Sequence, residues 1–157
     1  MGKEITYEQA MERLHKSVEQ GMIIECTNSV EAETICSCHG DCCGAMSFWR
    51  AAGPTSRAYM INMRRYGLEV NTETCAKCGA CAERCPMDVI VMDEQTGYPV
   101  IGGDMMCMTC GQCAYVCPTQ SRWLVPRDPS TYRERFADIV DQNNQIAAER
   151  FERGLIW

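Results

Sequence analysis

The sequence predicts an α+β fold, in which a small pseudo-two-fold unit of short helices and antiparallel hairpins carries helical extensions at both ends. Three observations predict it. A cysteine pattern occurs twice, as Cys75, Cys78, Cys81, Cys85-Pro86 and again as Cys107, Cys110, Cys113, Cys117-Pro118. Short β-prone runs follow each copy, at Val89–Met92 and Ser121–Val125. Apolar residues recur at helical spacing near both ends, as Tyr7, Ala10, Met11, Leu14, Val18 and as Tyr132, Phe136, Ile139, Val140, Ala147, Phe151.

Each copy reads C-x2-C-x2-C-x3-C-P, the ligand pattern of a bacterial-type ferredoxin with two [4Fe–4S] clusters. A cubane needs four thiolates, and a tight loop with a cysteine at every third position supplies three. The fourth cysteine of each run reaches the other cluster. The expected sets are Cys75, Cys78, Cys81 and Cys117 for one cluster, and Cys107, Cys110, Cys113 and Cys85 for the second. Gly79 and Gly111 sit where each loop bends. Ala80, Ala82 and Ala114 leave backbone N–H groups free to face sulfur, and Pro86 and Pro118 hold Cys85 and Cys117 extended. Paired C-x-x-C motifs can also hold zinc, but zinc takes four ligands, not eight with two matched prolines. A disulfide framework needs an oxidising compartment.

With 157 residues, the chain has the length of one domain or of one domain with extensions. Its expected divisions are residues 1–66, a helical extension with a third cluster; 67–126, the two-cluster domain; and 127–157, an amphipathic docking helix. Of its thirteen cysteines, twelve fall into the three groups. The N-terminal stretch MGKEITYEQAMERLHK lacks an apolar signal core, and no run approaches a membrane span. Met1-Gly2 with Thr6 fits a myristoylation pattern by chance, and Arg64-Arg65 is internal. The expected location is the cytoplasm of an anaerobe. The formal charge is −6, and three oxidised clusters with their thiolates bring it to roughly −12. Such a chain excludes nucleic acid as a partner and suits a basic docking surface on a redox protein.

In chain order, Thr6 and Gln9 form a capping box for the first helix, which Gly21 ends. Met22–Ile24 leads to Cys26, read as a small buried hydrophobe, and to a loop at Thr27–Ser29. Cys36, Cys38, Cys42 and Cys43 then place four thiols within eight residues and are expected to hold a third [4Fe–4S] cluster. A zinc knuckle or a reactive thiol group is the competing reading. His39 is a neighbour that donates a hydrogen bond or lies at the surface. Cys43–Ala52 reads as a helix ended by Gly53-Pro54, with Phe48 and Trp49 shielding the cluster. Ala58–Met63 reads as a strand or buried crossing, and Arg64–Gly67 as a turn. Asp93–Gly97 turns Val89–Met92 back onto Tyr98–Ile101. Met105, Met106 and Met108 pack around the second ferredoxin cluster. Ser130 caps a helix running to about Arg153, which either folds back on the chain or lies on another subunit. The terminal Leu155, Ile156 and Trp157 favour a partner.

From Gly21 to about Val125 the chain resembles a family of iron–sulfur proteins from anaerobes, in which an ICxCxxxCCG stretch precedes a two-cluster ferredoxin domain. The matching residues are Ile35, Cys36, Cys38, Cys42, Cys43, Gly44 and Arg50, then Cys75 onward with Glu83-Arg84-Cys85-Pro86-Met87. Family members often carry further cysteines where this chain has His39 and Asp41. The architecture also resembles the small electron-transfer subunit of tungsten-dependent benzoyl-CoA reductases. That resemblance implies a larger, tungsten-pterin catalytic subunit as partner. The expected function is therefore an electron-transfer subunit that relays low-potential electrons through three [4Fe–4S] clusters, with a freely diffusing ferredoxin as the alternative. An enzyme in its own right is disfavoured. The chain has no nucleotide fingerprint, and its two histidines, His15 and His39, form no nucleophile–base pair.

Overall fold

A computed structural model describes residues 2–53, 64–102 and 106–155. The first helix, α1 (Tyr7–Glu19), starts at the expected capping box: Thr6 Oγ1 accepts from the Gln9 N–H and Gln9 Oε1 accepts from the Thr6 N–H. Gly21, at φ 89°, ends it. Strands β1 (Ile23–Cys26) and β2 (Ile35–Cys38) form an antiparallel hairpin that sets Ile23 opposite Cys38 and Glu25 opposite Cys36. Helix α2 (Gly44–Ala51) follows directly from Cys43, which occupies its N-cap.

The central unit opens with β3 (Tyr66–Val70) and closes with β6 (Arg122–Pro126), and the two pair antiparallel from Tyr66↔Pro126 to Val70↔Arg122. Tyr66 and Gly67 therefore belong to a strand, and the expected turn at Arg64–Gly67 is corrected: backbone pairing across the unit prevails over local turn chemistry. Between these strands lie α3 (Ala80–Glu83), β4 (Ile90–Met92), β5 (Pro99–Ile101) and α4 (Gln112–Tyr115). Strands β4 and β5 form the expected hairpin. Asp93 Oδ1 builds its turn by accepting from the Gln95 and Thr96 N–H groups and from the Thr96 hydroxyl.

Small hairpins and short helices bury little apolar surface, and the core is correspondingly compact. It consists of Ile23, Met46, Trp49, Cys81, Met87, Val89, Ile90 and Cys113, so residues from the N-terminal extension and the central unit share it. Met106 and Met108 pack against it. Trp49 is buried within it, but Phe48, expected to shield a cluster, faces solvent at 58% exposure. One turn of helix aims adjacent residues about 100° apart, so only one of the pair can point inward. Cys26, expected to be buried, is exposed. It ends β1 on the face opposite Ile23.

The C-terminal segment departs most from expectation. Asp128, not Ser130, caps a short 3-10 turn at Pro129–Thr131. The chain then extends, and α5 (Ile139–Glu152) begins at an Asp138 cap. Phe136 is thus not on a helix face. It is buried at 2% exposure, and its backbone exchanges bonds with Asn28 and Val30, while the Glu31 N–H bonds Ala137 O. Extension lets Phe136 form a bridge to Ser29, which a continuous helix would forbid. The segment therefore folds onto the loop after β1, while α5 buries no residue of its own. Leu155 is exposed. The expected readings at Pro54, Ala58–Met63, Met105, Ile156 and Trp157 lie outside the described residues. Among the described residues no helix is long and apolar enough to cross a membrane.

Truncation at Phe136 should separate docking from the rest of the fold. Phe136→Ala is expected to cost about 3 kcal/mol in denaturant unfolding, whereas Val140→Ala, on the exposed face of α5, should change stability by less than about 0.5 kcal/mol. Equal effects would contradict the docking described.

Candidate metal centres

The repeat in sequence becomes a repeat in backbone conformation. Lys77 and Thr109, Gly79 and Gly111, and Asp88 and Gln120 all adopt positive φ, between 50° and 80°, and each pair is one repeat apart. Residues at positive φ bend the backbone so that neighbouring N–H groups can converge on a concavity, the kind of nest that holds anions and iron–sulfur cores. Gly79 and Gly111 are the N-caps of α3 and α4, and their φ explains why the bend carries glycine. At Lys77 the strained conformation is held from outside. Its ammonium donates to Thr96 O at 2.7 Å and lies 4.0 Å from the Tyr98 ring centre.

Two pockets result. One is lined by Cys75, Cys78, Cys81 and Cys117, with Gly79, Ala80, Pro118 and Ser121 among its neighbours. The other is lined by Cys107, Cys110, Cys113 and Cys85, with Pro86, Met87, Met108 and Leu124. Each pocket takes three thiols from one run and the last thiol of the other run. The donor chemistry fits a [4Fe–4S] core in each: four thiols without disulfides, in an apolar setting lined by backbone nests. As free thiols, burial pushes Cys110 up to about 11 and raises Cys81 and Cys113, so metal must displace their protons. Cys117 is lowered despite its burial, because the Thr119 hydroxyl and the Ser121 N–H hydrogen-bond its sulfur.

The thiols of Cys36, Cys38, Cys42 and Cys43 are not gathered equally. Cys38 and Cys43 pack against the shared core, and their sulfurs and a Glu25 carboxylate oxygen all lie within 4.8 Å of one another. Burial, with Cys43 and Glu25 beside it, pushes Cys38 up to about 12. Cys36 and Cys42 are exposed, and Cys42 lies against Asp41. His39 is at the surface, its Nδ1 2.7 Å from Asp41 Oδ1, as the sequence suggested. The loop is fixed to the central unit by Arg50, which donates to Gly40 O and to Pro86 O. A Cβ at Gly40 would stand 2.7 Å from Pro86 O, so only glycine permits this approach.

Sequence reasoning missed three polar residues that organise these centres. Arg122 is 3% exposed, lines the Cys75–Cys117 pocket, and lowers both Cys81 and Cys113 against their burial. Its Nη2 donates to Pro99 O, while Nε and Nη1 have no partner. A buried cation with two free donors between two thiol pockets fits the negative charge that two cubanes would place there. Gln112 and Arg84 form the other group. Gln112 Nε2 donates to Met22 O and Val18 O, Arg84 Nε donates to Gln112 Oε1, and Arg84 Nη2 donates to Val18 O and Glu19 O. A lone arginine within the run Ser121–Val125, and a glutamine where the first run has Ala80, are the signals by which Arg122 and Gln112 could have been found.

Arg122→Met should lower the midpoint potentials of both centres by on the order of 50–100 mV, the one-electron equivalent of about one charge-assisted hydrogen bond. Redox titration followed by electron paramagnetic resonance (EPR) checks it, and unchanged potentials would remove Arg122 from that role.

Residues 74–121, about a third of the chain, match the 4Fe-4S dicluster domain family. Comparison of the chain with curated proteins finds no match. The matched segment coincides with the two thiol pockets, so the chain carries a ferredoxin-type iron–sulfur domain with at least two [4Fe–4S] clusters and an electron-transfer role.

Proposed function

We propose that the protein is an electron-transfer subunit, which relays low-potential electrons through three [4Fe–4S] clusters to or from a larger catalytic oxidoreductase subunit of an anaerobe. The observation that carries this reading is the placing of three thiol groups on one core. Cys81 and Cys113 belong to it, and Cys38, Cys43, Cys85, Cys107 and Cys110 pack against it. Arg50 holds the Cys36–Cys43 loop to the Pro86 carbonyl, next to Cys85, which lines the Cys107–Cys113 pocket. That order favours a line of centres over isolated sites: Cys75–Cys117 first, then Cys107–Cys85, then the N-terminal loop.

The cubanes, when bound, supply reversible one-electron storage at low potential. The chain's own residues hold them, exclude water with Met46, Trp49 and Met87, and set local charge through Arg122. In the proposed sets, Cys75, Cys78, Cys81 and Cys117 hold one cluster, and Cys107, Cys110, Cys113 and Cys85 the second. Cys36, Cys38, Cys42 and Cys43 are the donors proposed for the third. The proposed domains are 1–66, 67–126 and 127–157, and the exposed α5 and Leu155 are the proposed surface for a catalytic subunit. The tungsten-dependent benzoyl-CoA reductase complex is the partner system that the architecture resembles.

Isolation without oxygen should give about twelve iron and twelve sulfide per chain, with a larger subunit co-purifying and its metals, tungsten included, measured alongside. Cys85→Ala should damage the centre at Cys107, Cys110 and Cys113 and spare that at Cys75–Cys81, with Cys117→Ala doing the reverse. About eight iron would refute the third cluster. A chain isolated alone would instead support a diffusing carrier.

A further inference from the structure

We infer that Glu25 is a metal ligand of the N-terminal centre, binding iron through its carboxylate beside the thiolates of Cys38 and Cys43. The inference rests on the reading that this loop holds a metal. It adds a donor that the cysteine pattern does not contain, and because a cubane takes four protein donors, Glu25 stands in for one of the two exposed thiols, Cys36 or Cys42.

Strand register places Glu25 on the face that carries the thiols. In the β1–β2 hairpin Glu25 lies directly opposite Cys36, and Ile23 directly opposite Cys38. Directly opposed residues, and residues two apart on one strand, share a face. Glu25, Cys36, Cys38 and the buried Ile23 therefore share one face of the hairpin, on which Cys36 is exposed and Cys38 packs against the core. Cys43 reaches that face from the N-cap of α2, and the three donors of Glu25, Cys38 and Cys43 close to within 4.8 Å of one another. Among the described residues no other three such groups meet this closely.

An independent observation points to a ligand. Glu25 Oε1 is buried and has no hydrogen-bond partner. A buried carboxylate oxygen without a partner costs several times what a hydrogen bond contributes, and such groups are found paired or coordinating a metal. Three arginines, Arg64, Arg65 and Arg135, line the same cavity as Glu25. None of them satisfies Oε1. A cation bound to Cys38 and Cys43 would satisfy it. A carboxylate and two thiolates suit three irons of one cluster, one donor to each, and equally a single ferrous or zinc ion.

The test uses the full chain, reconstituted without oxygen with ferrous iron and sulfide, then desalted and analysed for iron, sulfide and zinc. Glu25→Gln keeps the shape of a carboxyl group but not its ability to bind metal. It should lower iron from about twelve to about eight per chain, while the EPR signals of the two ferredoxin centres persist as proof of folding. Glu25→Cys should restore the iron and change the EPR signal of the restored centre. If the unmodified chain holds about eight iron plus one further ion that Glu25→Gln loses, the third cluster is wrong but Glu25 remains a ligand. Retention by Glu25→Gln of every metal and signal of the unmodified chain would overturn the inference. So would an unmodified chain holding eight iron and no further ion.

Discussion

The last cysteine of each run lies in the pocket of the other run, and most of the structure follows from that exchange. Cys85 joins Cys107, Cys110 and Cys113, and Cys117 joins Cys75, Cys78 and Cys81. Neither half can form its site alone, so the two loops must fold together and face each other across a pseudo-two-fold axis. Paired strands β3 and β6 bring the ends of the unit together. Left-handed residues repeated at Lys77/Thr109 and Asp88/Gln120 turn the backbone into the pockets. Such conformations each cost of order 1 kcal/mol or more for a residue other than glycine. The surrounding contacts, such as Lys77 to Thr96 and Tyr98, offset that cost.

A chain built around eight inward thiols has little room for a conventional apolar core, and polar side chains join its parts instead. Arg84 and Gln112 lie within the two cysteine runs and bind the last carbonyls of α1. Arg50, from α2, binds the corner at Pro86. Each pairs a cation or amide with backbone carbonyls at a helix end or tight turn. The N-terminal extension is thereby fixed to the ferredoxin unit through the loops that carry its thiols.

Charge is arranged against the same background. The chain is acidic, at −6, yet Arg122 is buried between the two thiol pockets with donors unspent. Burying a guanidinium is costly unless negative charge answers it. The thiol pockets are where that charge would be. Glu25 presents the converse case, a carboxylate held against the Cys38 thiol whose Oε1 is buried without a partner.

Spacing along the chain determined the eight ferredoxin cysteines, the glycines that bend their loops, the α1 capping box and the β4–β5 turn, because each depends on residues a few positions apart. Local chemistry sufficed there. It failed at the C-terminal segment, where Tyr132 and Phe136 have helical spacing but the backbone extends to bond Asn28, Val30 and Glu31. Contacts more than a hundred residues away prevailed over that periodicity. Only the tertiary structure decided which thiols of Cys36–Cys43 face inward: register puts Cys36 and Cys38 on one face, and packing against the shared core separates Cys38 and Cys43 from the exposed Cys36 and Cys42. Likewise only the fold could show Arg122, Gln112 and Glu25 as parts of the centres. A polar residue gains its role from what burial brings beside it, and burial is a property of the whole chain.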